Sequence, residues 1–482
     1  MEPETLHTSI AGLTARYRDG SLLPSRHMAD TLDLLERWEP RIGAFVTVAG
    51  ERALSEARSA DRLIAERGPA AWQGRPLLGM PVSVKDLTAT EGIRTTRGSL
   101  AHRDHVPGRD APAVARLRAA GAIVIGKTNT TEGGWSAAGS NRLQGPTRNP
   151  WDPALTSGGS SAGAAASIAA GVGVAATGTD GAGSIRIPAA FCGVVGFKPT
   201  RGRVPYVPHS PEGLSHLGPL TRTVADAALM VDVMSGYDPR DPLSHRVPAE
   251  PLAQDLAAFA DRLPPLRIGW ITSLGAPAPE PRSARTVRRA LAGLEDRGHR
   301  VEEIEAPFED PYPCLETILA AWEAAGHDPG PSDTLVDPGR LRVIEYGLTL
   351  GAAQLARAYE QRSRLRTQAL ALMERYDLLA MPTVAVAPFP AELHAPATRL
   401  DKGRLNWLAW APEAYVFNLT GQPAVSIPAG LSEAGLPLGL QLVGALDADR
   451  RVLAAAHHCE QTNPWHHWYA ELAKRCQEED ER

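Results

Sequence analysis

Lys85 lies in the run GMPVSVKDL, where nearly every neighbour is apolar or small. An ammonium group placed there must be paired or lose its charge, because removal from water disfavours the charged form and lowers the pKa. Pairing with the adjacent Asp86 is one outcome; a neutral amine that takes a proton near neutral pH is the other. Two serines, Ser160 and Ser161, follow two glycines in TSGGSSAGAAAS, residues 156–167, at the start of a small-residue helix. That pattern suits a flexible loop, a helix N-cap or an anion cradle. Neither GxxxxGK[ST] nor GxGxxG after a strand is present to mark a nucleotide site. A third stretch, TGTDGAGSIRIP at 177–188, sets Ser184 behind Gly181, Ala182 and Gly183. Successive backbone N–H groups in a glycine-rich turn form a nest for a developing oxyanion. A serine in such a turn still needs a base. No histidine lies near any of the three stretches, and lysine is an established activator of serine nucleophiles.

GMPVSVKDL, TSGGSSAGAAAS and GTDGAGSIRIPAAFCGVVGFKPTRGRVP occur in this order and spacing, followed by LGPLTRTVADAALMVDVM and FNLTGQPAVSIPAG. Together, over about residues 40 to 445, they resemble the signature of the amidase-signature family. The resemblance implies that Ser184 attacks an amide carbonyl, that Ser160 bridges it to the base Lys85, and that the Gly159–Ser160 peptide is cis. It also implies an oxyanion hole from the N–H groups of Gly181, Ala182, Gly183 and Ser184. Many relatives carry a bulkier residue and then glycine where Gly181 and Ala182 stand, but only main-chain groups are required there. Asp180, Arg186, Ser161 and Thr179 read as groups that hold the nucleophile turn by hydrogen bonds and an ion pair. The implied reaction is acyl transfer to water, with no metal or organic cofactor.

Around these stretches the chain has α/β grammar. Residues 1–65 show helical periodicity, as in Leu32, Leu34, Leu35 and Trp38. Leu77 to Leu87 and Ile123 to Ile125 read as buried strands separated by a helix over Ala113 to Ala120. Leu217 to Met234 reads as a helix; Leu266 to Ile271, Ser283 to Arg297 and Val301 to Ile304 read as strand, helix, strand. Leu378 to Val386, Ala424 to Pro428 and Gly439 to Val443 return as strands. The expected fold is α/β, a large mixed twisted β-sheet covered by helices on both faces. Its organisation would be packing helices at 1–65, one catalytic domain at 66–460 and a C-terminal tail at 461–482. Segments 306–350 and 400–417 would shape the substrate pocket, with Trp322, Trp407, Trp410 and Tyr415, and with Trp135 either lining it or filling core. These aromatics point to an apolar or aryl amide.

Hydrophobic residues make up 43% of the 482, charged residues 22%, and the formal net charge is −5. Such a balance gives a packed globular chain with no positive field for nucleic acid or an anionic membrane. Cys192, Cys314, Cys459 and Cys476 show no zinc spacing, and Cys192 reads as a small buried hydrophobe. The acidic N-terminus lacks a secretory pattern, so a cytoplasmic location is expected. The expected partner is a small-molecule amide, with no nucleic acid or membrane and with a homodimer left open. Two rivals remain. One is the glutaminase A-type subunit of a tRNA-dependent amidotransferase, using Arg340 or Arg342 for the glutamine carboxylate. The other is a non-catalytic scaffold on the same fold, against which intact Lys85, Ser160 and Ser184 argue.

Overall fold

A computed structural model describes residues 8–480 apart from 248–249, 276, 306, 398–399 and 401. Residues 1–7, 306, 401 and 481–482, which fall in the expected N-terminal, pocket and tail segments, lie outside the described residues.

Eleven strands form one mixed sheet: β1 Phe45–Val48, β2 Pro81–Lys85, β3 Ile123–Thr128, β4 Ala175–Asp180, β5 Val195–Lys198, β6 His216–Thr221, β7 Arg267–Trp270, β8 Arg300–Glu303, β9 Leu378–Pro382, β10 Ala424–Leu431 and β11 Pro437–Gly444. Their order is β1-β3-β2-β4-β6-β5-β10-β11-β9-β7-β8. β2 runs parallel to both β3 and β4, and β4 pairs antiparallel with β6. β2, β3, β4 and β6 are buried at every residue, so both faces of this half of the sheet are covered. The helix Ala162–Ala169 is likewise buried throughout. Only Ala, Gly, Ser and Ile occupy it, which lets its backbone lie close to its neighbours. A Cβ on Gly163 would stand 2.1 Å from the Ala44 carbonyl oxygen, so no larger residue fits there.

Several elements differ from the sequence expectation. Residues 1–65 hold the helices Ile10–Arg18 and Pro24–Ile42, but also the edge strand β1, before the helix Gly50–Arg67. Leu217 to Leu220, expected as the start of a helix, belong to β6, and the helix begins at Val224 behind a Thr223 cap. β4 and β5 carry Ala, Gly and Thr, or a very short apolar run, and being buried on both faces they lack the alternation that marks a strand. The helix expected over 283 to 297 is two, Pro281–Arg289 and Ala292–Asp296. Past residue 461, His466–Asp480 is helical, and Trp465, Trp468, Tyr469 and Leu472 are buried in the main core. At about 1.5–3 kcal/mol for each fully buried large apolar side chain, this segment is anchored rather than trailing.

Candidate active site

Lys85 ends β2, and β4 beside it ends at Thr179 and Asp180, so parallel pairing of the two strands delivers the lysine and the nucleophile turn to the same sheet edge. The Lys85 side chain is fully buried. Its Nζ lies 2.7 Å from Ser160 Oγ, 2.9 Å from Ser161 Oγ, 2.8 Å from Thr179 Oγ1 and 3.4 Å from the Thr179 carbonyl oxygen. It makes no pair with Asp86, whose carboxylate instead accepts from the Thr96 N–H and hydroxyl and from the Gly98 N–H. Burial holds the Lys85 ammonium well below the ordinary lysine range, opposed by the charge of Asp180.

The hydrogen-bond directions around Lys85 constrain its role. Ser161 Oγ donates to the Thr179 carbonyl at 3.1 Å and accepts from the Thr179 N–H at 3.2 Å. Its single proton is therefore used, and the amine is the donor in the Lys85–Ser161 contact. In a neutral amine, N–H groups turned to Ser161 and Thr179 would leave its one lone pair toward the Ser160 hydroxyl. Ser160 follows the cis Gly159–Ser160 peptide. A Cβ on Gly159 would stand 2.3 Å from the Ala138 carbonyl oxygen, so glycine is required before this serine.

Ser184 lies in the same cavity as Ser160, Thr179, Gly181 and Ala182, and its carbonyl accepts from the Ser161 N–H at 3.1 Å. One backbone bond thus ties the nucleophile turn to the serine pair. The turn is built on Asp180. Its Oδ1 accepts from the Gly183 N–H at 2.7 Å and its Oδ2 from the Ile185 N–H at 3.1 Å. This corrects the expected oxyanion set: the Gly183 N–H is committed to Asp180. The N–H groups of Gly181, Ala182 and Ser184 make no hydrogen bond among the described residues. Gly183 has φ +105, and a Cβ there would also meet the Ala414 Cβ at 2.5 Å.

Arg186, fully buried, places all five donors: Nε and Nη2 on Asp180 at 3.0 and 2.9 Å, Nη1 on the Ala414 carbonyl and Gln441 Oε1 at 2.7 Å each, and Nη2 also on Asn418 Oδ1 at 2.7 Å. The guanidinium beside Asp180 holds its carboxyl well below the usual carboxylate range, against its burial. Asn418 Nδ2 returns a bond to Asp180 Oδ1 at 2.8 Å. The sequence gives no local sign of a role for Asn418 or Gln441; NLTGQPA carries the first only as part of the resemblance. Removing one member of a buried, hydrogen-bonded ion pair leaves an uncompensated charge and costs about 3–5 kcal/mol. Asp180→Asn is therefore expected to lower stability by about that amount, read as a fall in the urea unfolding midpoint.

Trp135 and Trp407 are buried, Trp322 is 39% exposed, and all three line the cavity that holds Ser184. The Trp407 indole N–H donates to the Trp135 carbonyl at 2.9 Å. Tyr415 does not reach the cavity: it is fully buried and packs on Tyr312 with ring centres 6.1 Å apart. It sits on the helix Pro412–Thr420, where every residue is buried, so its ring fills core. Arg342 lines a side pocket of about 350 Å³ beyond Trp135 and Trp407. Arg340 faces a vestibule of about 350 Å³, with its Nε on Glu323 at 2.8 Å and its Nη1 on Glu132 at 3.2 Å. The inner cavity, about 80 Å³, includes the acidic side chains Glu212 and Glu323, which the sequence does not single out. No group of three or more His, Cys, Asp or Glu arranged to hold a metal occurs among the described residues.

The sequence model of amidases matches residues 28–453. This chain belongs to the amidase family. Like other members, the amidase is a hydrolase of amide C–N bonds. It is 34% identical to an acylamidase of Rhodococcus erythropolis, over 96% of this chain and 98% of that protein. It is 35% identical to the A-type subunit of the glutamyl-tRNA(Gln) amidotransferase of Geobacter metallireducens, over 90% and 92% of the two chains. In three dimensions the amidase matches a bacterial aryl acylamidase of the amidase-signature enzymes with a TM-score of 0.88 and 28% identity, covering 97% of this chain and 98% of that one. Among the described residues, no helix is long and apolar enough to cross a membrane.

Proposed function

We propose that the chain hydrolyses small-molecule acylamides, aryl or apolar ones among them, through an acyl-enzyme on Ser184. The observation that carries this reading is the buried Lys85 amine, whose Nζ lies 2.7 Å from the Oγ of Ser160, a residue that lines the cavity holding Ser184. Ser184 Oγ attacks the carbonyl carbon as its proton passes to Ser160 Oγ, and the Ser160 proton passes to Lys85 Nζ. The oxyanion is held by the free N–H groups of Gly181, Ala182 and Ser184. Collapse breaks the C–N bond, and the proton returns through Ser160 to the leaving amine. Water then repeats the sequence on the ester. The aromatic walls at Trp135, Trp322 and Trp407 and the likeness to an aryl acylamidase support the substrate class. Cytoplasmic residence is part of this reading, supported by the free, buried thiols of Cys192, Cys314 and Cys459.

The test is a panel of primary, aryl and peptide C-terminal amides with amine or ammonia release as readout, together with labelling of Ser184 by a fluorophosphonate. Turnover of none, with an unlabelled serine, would return the chain to the scaffold reading. Ser160→Ala is expected to lower kcat for amides by about 10²-fold rather than abolish it, because a water can take the place of the bridging hydroxyl. Wild-type rates in that variant would remove Ser160 from the relay.

A second reading, the glutaminase component of an amidotransferase, is favoured by the likeness to the amidotransferase relative. Against it, the Arg340 guanidinium already places its Nε on Glu323 and its Nη1 on Glu132, two carboxylates with which a glutamine carboxylate would have to compete. Copurification of partner proteins, or a tight preference for glutamine, would decide for the second reading.

A further inference from the structure

Glu212 is 5% exposed in the wall of the cavity that holds Ser160 and Ser184. Its Oε1 accepts from Ser215 Oγ at 2.9 Å and from Ser210 Oγ. Its Oε2 is enclosed and has no hydrogen-bond partner among the described residues. A carboxylate oxygen left in that state is destabilised until something donates to it. Neither neighbouring arginine does. Arg340 is engaged by Glu323 and Glu132, and Arg362 donates to main-chain carbonyls of Glu212, Gly213 and Leu419. Tyr206, Trp135, Trp322 and Trp407 line the same cavity, and aromatic faces attract cations.

Ser215, which donates to this carboxylate, lies beside the turn that carries Ser184: a Cβ on Gly181 would stand 3.4 Å from Ser215 Oγ. A carboxylate there opposes the oxyanion that the Gly181 turn would hold, and a cation bound on Glu212 relieves the opposition. We infer, on the amide-hydrolase reading above, that the cavity selects amides carrying a primary ammonium group close to the scissile bond, with the Glu212 carboxylate as its acceptor and the aromatic rings as its flanks.

For two amides that differ only in an ammonium group against an isosteric methyl, wild-type kcat/KM should favour the ammonium substrate by roughly 10- to 100-fold, the range of a charge-assisted hydrogen bond. Glu212→Gln should lose most of that preference, read as the ratio of the two kcat/KM values within the variant. A matched pair of fluorophosphonates, one with an ammonium tail and one with a methyl, reads the same preference as Ser184 labelling rates and needs no cleavable amide. Equal labelling of the two by wild type, or equal slowing of both in Glu212→Gln, would overturn the inference and leave Ser184 chemistry standing. Labelling by neither would overturn the Ser184 reading, and the inference with it.

Discussion

Ser184→Ala is expected to lose amide turnover by roughly 10⁴- to 10⁶-fold and all fluorophosphonate labelling, while folding like the wild type. The size follows from what is removed: without the attacking oxygen there is no acyl-enzyme, and only binding and the oxyanion donors remain. Preserved folding follows from where the turn's stability resides. Asp180 holds the Gly183 and Ile185 N–H groups, Arg186 holds Asp180, and Ser161 N–H holds the Ser184 carbonyl. None of these contacts uses Ser184 Oγ. The variant should therefore unfold within about 0.5 kcal/mol of wild type by urea titration. Activity above a few per cent of wild type in a folded variant would mean that another group is the nucleophile.

The parts of the site legible in the sequence are those where a residue type conflicts with its surroundings. A lysine inside GMPVSVKDL and a serine behind GAG are each odd locally, and local oddity is visible without a fold. The large mixed sheet was legible from the strands on either side of its centre, where apolar runs such as Leu378 to Pro382 and Pro437 to Gly444 stand between loop residues. The centre was harder to read. β4 is AATGTD, with a composition that suits a loop, and it becomes a strand because β2 and β6 pair it on either side. Asn418 meets Asp180 across 238 residues, Gln441 meets Arg186 across 255, and no local pattern announces either bond. Tyr415 shows the opposite error. An aromatic in a variable segment suggested a pocket wall, but its helix is buried on every side, so its position was decided by packing that spacing does not encode. Glu212 had no marker in the sequence; its importance rests on one carboxylate oxygen that the fold leaves without a donor among the described residues.

Lys85→Ala is expected to lose roughly 10²- to 10⁴-fold in kcat/KM for amides, the range of a positioned proton-transfer group, together with the alkaline rise of the wild-type profile. The sign comes from burial. The Lys85 ammonium is held well below the ordinary lysine range because the side chain is fully enclosed, and the charge of Asp180 only partly offsets this. On the proposed relay the reacting form is the neutral amine, since only its lone pair can take the Ser160 proton. The neutral fraction grows as pH rises through the lowered pKa, so wild-type acylation should climb along a single-proton limb and then level off. Stability has the same sign. Between the folded and unfolded pKa values the unfolded chain binds the extra proton, so this group makes folding more favourable as pH rises across that window and less favourable as pH falls. Lys85→Met keeps the volume and removes the proton, so it should lose both the rate limb and the stability slope. Ester substrates, whose leaving group needs less protonation, should suffer less than amides. The measurement is kcat/KM for a matched amide and ester across pH in wild type and both variants, with circular dichroism to confirm folding. A folded Lys85→Ala enzyme with the wild-type amide profile would assign the proton transfer elsewhere and leave Lys85 as a strut between Ser161 and Thr179.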